Sequence, residues 1–218
     1  MFAKLDDLLR AYLVRDPAAR SRLEVFLLYP GVAAVIYHRL AHRLYRKDLK
    51  FLARFVSQWS RFWTGIEIHP GAKIGHRLVI DHGSGIVIGE TAEIGNDVLL
   101  YQGCTLGGTG KERGKRHPTL GDHVMIGSGA KVLGPITVGS YSRVAAGAVV
   151  LADVPEDSTA VGVPARIVSV AGERVSPAEA VDQIHVEDPV QTELEKLRAR
   201  LAILEKKLEE KETCHVSV

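Results

Sequence analysis

Asp81 and His82 stand side by side in "VIDHGSGIVIGE" (79–90), a carboxylate next to an imidazole. An imidazole titrates near neutral pH and is suited to moving a proton. A second group, Lys111, Arg113, Lys115, Arg116 and His117, crowds into "GGTGKERGKRHP" (107–118). Both groups stand where a regular pattern fails. An aliphatic residue recurs every sixth position at Ile68, Ile74 and Ile80, and again at Ile88, Ile94, Leu100 and Leu106, so the return after Ile80 comes two residues late. After the second group the beat resumes at Leu120 and runs through Ile126, Val132, Val138, Val144 and Val150. A monotonous stack offers room for chemistry where the chain leaves it, and these are the two departures. The second is too polar and glycine-rich for a rung and projects as a loop.

The elements that must hold these groups follow from the rhythm. A period of six does not match a helix, whereas short strands joined by tight turns produce it, each turn stacking one rung on the last. Small or branched residues come four positions after most beats (Ala72, Ala92, Val98, Cys104, Val124, Ala130, Ile136, Ser142, Ala148), and glycine often follows directly (Gly75, Gly89, Gly95, Gly127, Gly139). The glycines are expected to give the corners backbone freedom. Residues 64–170 therefore read as a hexapeptide-repeat parallel β-helix. Residues 1–63 read as helical, with Asp16 as the N-cap of a helix that has Pro17 in its first position and ends at Tyr29-Pro30-Gly31. A second helix is expected over 31–46 and a third over 48–63, with Phe51, Phe55, Trp59, Phe62 and Trp63 marking its buried face. His38 and His42 lie one helical turn apart, a spacing usable by a metal, but without a third ligand they read as packing or surface residues. In the tail, 171–218, Leu194, Leu197, Leu201, Leu204 and Leu208 alternate steps of three and four. That pattern suits either a short coiled coil or an amphipathic helix lying on its own β-helix.

Bulk properties exclude several classes. The 218 residues are 46% hydrophobic and 25% charged, with a net charge of +2 and 6% aromatics. Such a balance, with a pI near 8.5, argues for a soluble globular protein and against a nucleic-acid partner. "MFAKLDDLLR" is amphipathic and carries acids, unlike a secretion signal. The longest apolar run, 25–37, is short for a membrane span and contains Pro30 and Gly31. Cys104 and Cys214 form no C-x-x-C pair, so a reducing cytoplasm is the expected compartment.

The segments "EIHPGAKIG", "DHGSGIVIGETAEIG", "QGCTLGGTGKERGKRHPTLGD" and "VGVPARIV" resemble the bacterial serine acetyltransferases, over nearly the whole chain from "RDPAARS" (15–21) to 161–168. The resemblance implies an α+β fold: an N-terminal helical domain (1–63), a left-handed parallel β-helix (64–170) and a C-terminal tail (171–218) with a short coiled-coil-like helix. It implies transfer of acetyl from acetyl-CoA to the hydroxyl of L-serine, giving O-acetyl-L-serine and CoA for cysteine biosynthesis, with feedback inhibition by L-cysteine and no metal. His82 then corresponds to the catalytic base, and Glu67, where many relatives have aspartate, to the carboxylate that orients it. Asp16 and Asp81 correspond to ligands of the substrate ammonium, Arg116 to a clamp on its carboxylate, and Glu90 and His117 to further pocket residues. Gly108, Ser128 and Ala146 fall along the pantetheine arm, with Arg143 and Arg166 toward the phosphates; His69, His76 and His123 read as structural or surface residues. A homo-oligomer, trimer or hexamer, is implied, as is docking of O-acetylserine sulfhydrylase on the C-terminal tail, which here ends in Val218 where relatives have isoleucine. Two alternatives are an acetyltransferase for another acceptor (homoserine or a sugar amine) and a zinc hydratase using His82, His117 and His123.

Overall fold

The computed structural model describes residues 2–110 and 113–170, together with 197, 198, 200 and 201. Four helices come first: α1 (Phe2–Arg15), α2 (Arg22–Leu28), α3 (Pro30–Arg46) and α4 (Lys50–Thr64). The helix expected to start at Asp16 starts later: α1 runs to Arg15, and α2 begins only at Arg22. Its N-cap is Ser21, whose hydroxyl accepts the Glu24 amide at 3.2 Å. Asp16 instead closes the turn between them, its Oδ1 accepting the Ala18 amide at 2.8 Å.

Strands then follow in threes. β1 (Glu67–Ile68), β2 (Lys73–Ile74) and β3 (Val79–Asp81) start three faces of a coil. The next turns add β4 (Val87–Ile88), β5 (Glu93–Ile94) and β6 (Leu99–Tyr101), then β7 (Thr105–Gly107), β8 (Thr119–Leu120) and β9 (Met125–Ile126). Above them lie β10 (Lys131–Leu133), β11 (Thr137–Val138), β12 (Arg143–Val144) and β13 (Val149–Val150), with β14 (Ser158–Val161) and β15 (Arg166–Val170) closing the end as an antiparallel pair. The three parallel sheets are β1-β4-β7-β10-β13, β2-β5-β8-β11, and β3-β6-β9-β12-β14 extended by β15. The residues on the six-residue beat are the inward columns: Ile68, Ile88, Leu106, Val132 and Val150 are all buried and stack one above another along the first face. Every rung offers the same apolar environment, so one residue type recurs and register cannot slip without exposing it.

The glycines after the beat do a different job from the one expected. Gly75, Gly95, Gly121 and Gly139 lie outside the left-handed region, and a Cβ at any of them would strike the next coil, at 2.6 Å from the Gly95 carbonyl oxygen for Gly75 and 2.5 Å from the Glu156 nitrogen for Gly139. They are needed for clearance between rungs. The left-handed corner residue two positions later is not glycine: Arg77, Asp97, His123 and Tyr141 have φ of 57° to 63°. Stacking braces this column, with Arg77 paired to Asp97 and the His123 ring lying 4.7 Å from Tyr141 at 7°. His123 is thus a structural residue.

The helices pack against the start of the coil and share its apolar core, which runs from Leu8 to Ala160. Tyr12 is fully buried, its hydroxyl accepting the Ile80 amide at 3.0 Å and donating to the Ile80 carbonyl at 3.3 Å. Arg15 is buried too, donating to the Asp97 carbonyl at 2.7 Å and facing its carboxylate at 3.6 Å. On α4 the expected buried face is the outer one: Phe51, Phe55, Trp59, Phe62 and Trp63 are exposed, and Ala53, Ser57 and Ser60 are buried. Small residues let α4 lie close enough for the Ser57 hydroxyl to reach the Ile68 carbonyl at 2.7 Å, an approach that bulky rings would prevent. His38 and His42 pack with ring centroids 5.6 Å apart, and among the described residues no group of three metal-ligating side chains forms. No single described helix is long and apolar enough to cross a membrane. In the tail, Leu197 and Leu201 are helical and exposed, and the rest of the expected leucine seam, with Val218, lies outside the described residues.

Candidate active site

The late beat has a local explanation. Asp81 pairs with Tyr101 and the Ser84 carbonyl accepts the Gly103 amide, so the residues without counterparts in the next coil are His82 and Gly83. They bulge from the corner between β3 and β4. The Gly83 amide donates back to the Asp81 carbonyl at 2.7 Å, closing a three-residue turn that puts His82 at φ +57°. Such backbone is uncommon outside glycine and concentrates at functional sites. Gly83 must be glycine here, since φ is +76° and a Cβ would lie 2.6 Å from Ile66 Cδ1. The His82 side chain is 77% exposed, its Nε2 3.7 Å from Asp81 Oδ1.

Around this bulge two carboxylates converge. Burial pushes the Asp81 carboxyl above the usual carboxylate range, with His82 opposing and Asp16 reinforcing the rise. Asp16 Oδ2 accepts the Tyr29 hydroxyl at 2.6 Å, and burial together with this bond pushes Tyr29 up to about 12. Tyr12 supports the group from below, its ring edge-on to Tyr29 at 5.6 Å. Gly31 makes room for this, because a Cβ there would lie 2.6 Å from the Ile80 carbonyl oxygen. A pair of acids with few counter-charges is a site for a cation. Glu67, on β1, pairs with α4, its Oε2 lying 3.3 Å from Arg61 Nη1.

A second cluster forms at the next corner, between β4 and β5, where the inserted loop rejoins the coil. Glu90 accepts the Tyr45 hydroxyl at 2.8 Å and Arg116 Nη2 at 2.5 Å, and these two bonds hold its carboxyl below the usual range. Thr91 organises the loop end. Its Oγ1 accepts the amides of Arg116 at 3.0 Å and His117 at 3.1 Å, and its carbonyl accepts Lys115 Nζ at 2.8 Å. Its amide donates to His117 Nδ1 at 3.2 Å, which leaves the proton of a neutral ring on Nε2. His117 is buried, and desolvation with the neighbouring Arg116 charge lowers its pKa, favouring that neutral form. The ring lies over Gly89 and Gly108: a Cβ on Gly108 would sit 3.3 Å from Nε2, and one on Gly89 would overlap the ring.

The expected site residues thus fall into two groups on adjacent corners of the coil: Asp16, Asp81 and His82 on one, Glu90, Gly108, Arg116 and His117 on the other. Ser128 and Ala146 occupy the His82 edge on later coils, the Ser128 carbonyl accepting the Gly147 amide at 2.8 Å. That edge is open, since a Cβ on Gly129 or Gly147 would meet nothing within 4 Å. Arg143 lies on the third face, in register with Met125 and Thr159, and Arg166 opens β15, exposed. Tyr12, Tyr29, Tyr45 and Thr91 escaped sequence reasoning. Tyr12 and Tyr45 sit on helices whose pattern reports burial alone, Tyr29 lies in the break between α2 and α3, and Thr91 occupies an ordinary turn position.

Residues 117–152 match the family model described as bacterial transferase hexapeptide (six repeats). The chain is similar to the serine acetyltransferase of Bacillus subtilis (strain 168), 54% identical over 197 residues, 90% of each chain. Among solved structures it resembles a serine acetyltransferase in complex with cysteine, with a TM-score of 0.81 and 44% identity over 84% of this chain and 71% of that one. The Neisseria gonorrhoeae serine acetyltransferase in complex with serine gives 0.74 and 43%, over 77% and 69%. A serine acetyltransferase in complex with CoA gives 0.71 and 43%, over 76% and 68%. With these structures the chain shares the left-handed hand of its coil.

Proposed function

The chain belongs to the serine acetyltransferase family, and from that premise we propose how its residues carry acetyl from acetyl-CoA to the hydroxyl of L-serine. The observation that carries the reading is the two-residue bulge that turns His82 out of the coil beside Asp81 and Asp16. A serine hydroxyl is a weak nucleophile at neutral pH and needs a positioned base. His82 takes its proton as the oxygen attacks the thioester carbonyl; the C–S bond then breaks, and the departing CoA sulfur recovers the proton from His82. Glu67, held by Arg61, serves as the carboxylate that orients the imidazole.

Substrate selection follows from charge. The serine ammonium is received between Asp16 and Asp81, relieving the cost of burying the Asp81 carboxylate. Its carboxylate meets Arg116, whose guanidinium is held by Glu90. His117 presents Nε2–H to the same pocket, and L-cysteine, with the same two charged groups, enters as the feedback inhibitor. The open edge through Ser128 and Ala146 takes the pantetheine arm, where small side chains permit close approach, with Gly108 on the facing corner and Arg143 and Arg166 toward the phosphates. Segments 1–63, 64–170 and 171–218 act as helical base, catalytic coil and tail, in the cytoplasm where acetyl-CoA is made available.

One copy holds the two clusters on different corners, so a complete pocket needs the His82 corner of one copy to meet the Arg116–His117 corner of the next. Repeating that contact around a three-fold axis closes a ring and gives a trimer. The test is co-expression of His82→Ala and His117→Ala chains. His82→Ala alone should lose roughly 10²–10⁴-fold in kcat, the range for removing a general base, and His117→Ala alone about 10- to 100-fold in kcat/KM for serine, the worth of a hydrogen bond to a charged group. The mixed oligomer should recover about a quarter of wild-type activity, because random head-to-tail pairing leaves that share of interfaces intact. A mixture no more active than its parents would place the whole site within one copy.

A further inference from the structure

Helix α3 carries basic residues that neither cluster uses. Arg39, Arg43 and Arg46, with Lys4 of α1 and Lys73 of β2, line a cavity of about 730 Å³ between the helices and the second face of the coil. Among the described residues lining it, none is acidic. Among the described residues, Lys73 alone of the five has a carboxylate partner, Glu93 at 2.8 Å. Arg39 and Arg43 stand one turn apart, where like charges oppose each other, and burial and that repulsion both lower the Arg39 pKa. At the floor, buried His38 bonds the Ala72 carbonyl and leaves Nδ1 without a partner. One wall is apolar, formed by Leu5, Phe26, Val35 and Ile74.

A solvated basic surface does not require concavity, an apolar wall or a half-buried Arg39; a site for an anion does. From Arg39 to Arg46 the helix rises about 10 Å, more than a single phosphate group spans, and linked phosphates fit that length. We propose that this cavity binds an organic polyphosphate, with its phosphates along Arg39, Arg43 and Arg46 and its organic portion on the Leu5–Phe26 wall. The site shares no residue with either cluster, though Lys73 also borders the cavity beside Glu90 and Thr91, and it does not depend on their assignment.

Calorimetric titration of the full-length enzyme tests this with inorganic triphosphate and ATP in parallel, beside Arg143→Gln, a change in the acetyl-transfer pocket, as the control for binding there. Both probes should bind with one site per chain, and ATP more tightly by virtue of the apolar wall. Arg43 is exposed, so Arg43→Glu leaves the fold intact, and it should weaken both probes about tenfold or more, the effect of losing a charge-assisted contact. Arg39→Gln with Arg43→Gln should abolish binding. The proposal is overturned if neither probe binds, if both bind Arg43→Glu within twofold of wild type, or if Arg143→Gln in the acetyl-transfer pocket abolishes their binding.

Discussion

Gly89→Ala isolates what His117 contributes, because the change leaves every titrating group in place. Gly89 lies outside the left-handed region, so alanine meets no backbone penalty there and its whole effect is steric. The new methyl would lie 2.7 Å from His117 Cγ and closer still to Cδ2 and Nε2. The shortfall from an ordinary contact of 3.4 Å is roughly 0.7 Å at Cγ and larger at Cδ2 and Nε2, so the ring must retreat by more than that. It cannot do so freely, since it is buried and its Nδ1 accepts the Thr91 amide at 3.2 Å. Overpacking of this kind costs about 1–3 kcal/mol, with about 0.5–1.5 kcal/mol more if the Thr91 bond breaks. In a chain of this size each 1 kcal/mol lowers Tm by about 2–4 °C. A displacement near 1 Å in a reacting geometry costs on the order of 10²-fold in rate, so kcat/KM for serine should fall by that factor. The assay is CoA release at varied serine, beside a thermal melt. Gly139→Ala is the control: its Cβ would strike the Glu156 nitrogen at 2.5 Å, far along the coil, so it should lower Tm and leave kcat unchanged. Normal turnover in Gly89→Ala would refute the placement of His117 in the pocket.

Arg116→Ala should raise the KM for serine about 10- to 100-fold, the worth of a charge-assisted pair, with little change in kcat; a rise confined to the acetyl-CoA KM would reassign the residue. L-Cysteine should inhibit competitively with serine, and Asp16→Ala should raise its inhibition constant about tenfold by removing an ammonium ligand. Inhibition independent of serine, or unchanged in the variant, would place cysteine elsewhere. Stability should fall on acidification through His38. Burial, with His42 adding to it, lowers its folded pKa to about 3, so below its unfolded value near 6.5 the unfolded chain holds a proton the native state lacks. The contribution is complete above about pH 6.5 and is lost toward pH 3 with a slope of up to about 1.4 kcal/mol per unit. Melts from pH 4 to 8 should show that slope in wild type and a flatter one in His38→Gln.

The coil was legible because a stack of equivalent rungs repeats its demands at a fixed interval. Ile68, Ile88 and Leu106 answer the same apolar environment, so the period by itself gave the inward columns, the two interruptions and the strand pairing that follows from them. The interruptions pointed to chemistry because a repeating stack has no structural use for an unmatched His82-Gly83 or for a loop ending in Arg116-His117. Quoted motifs added the hand and the reaction, which periodicity does not encode. What the sequence could not decide was anything that depends on how closely two remote elements approach. The α4 aromatics looked inward because they form a stripe, yet only the packed structure shows that close contact with β1 selects Ala53, Ser57 and Ser60 for the buried side. Gly75 and Gly139 are glycine for want of space above them, a constraint set by the next coil and invisible in local pattern. Asp16 reads as a cap until Tyr29, thirteen residues on, is seen to bind its carboxylate, and Tyr45 reaches Glu90 across forty-five residues. Local sequence fixes the repeating environment of each rung; the corner on which a catalytic side chain lies, and the partner that orients it there, arise only when the helices and the coil close on one another.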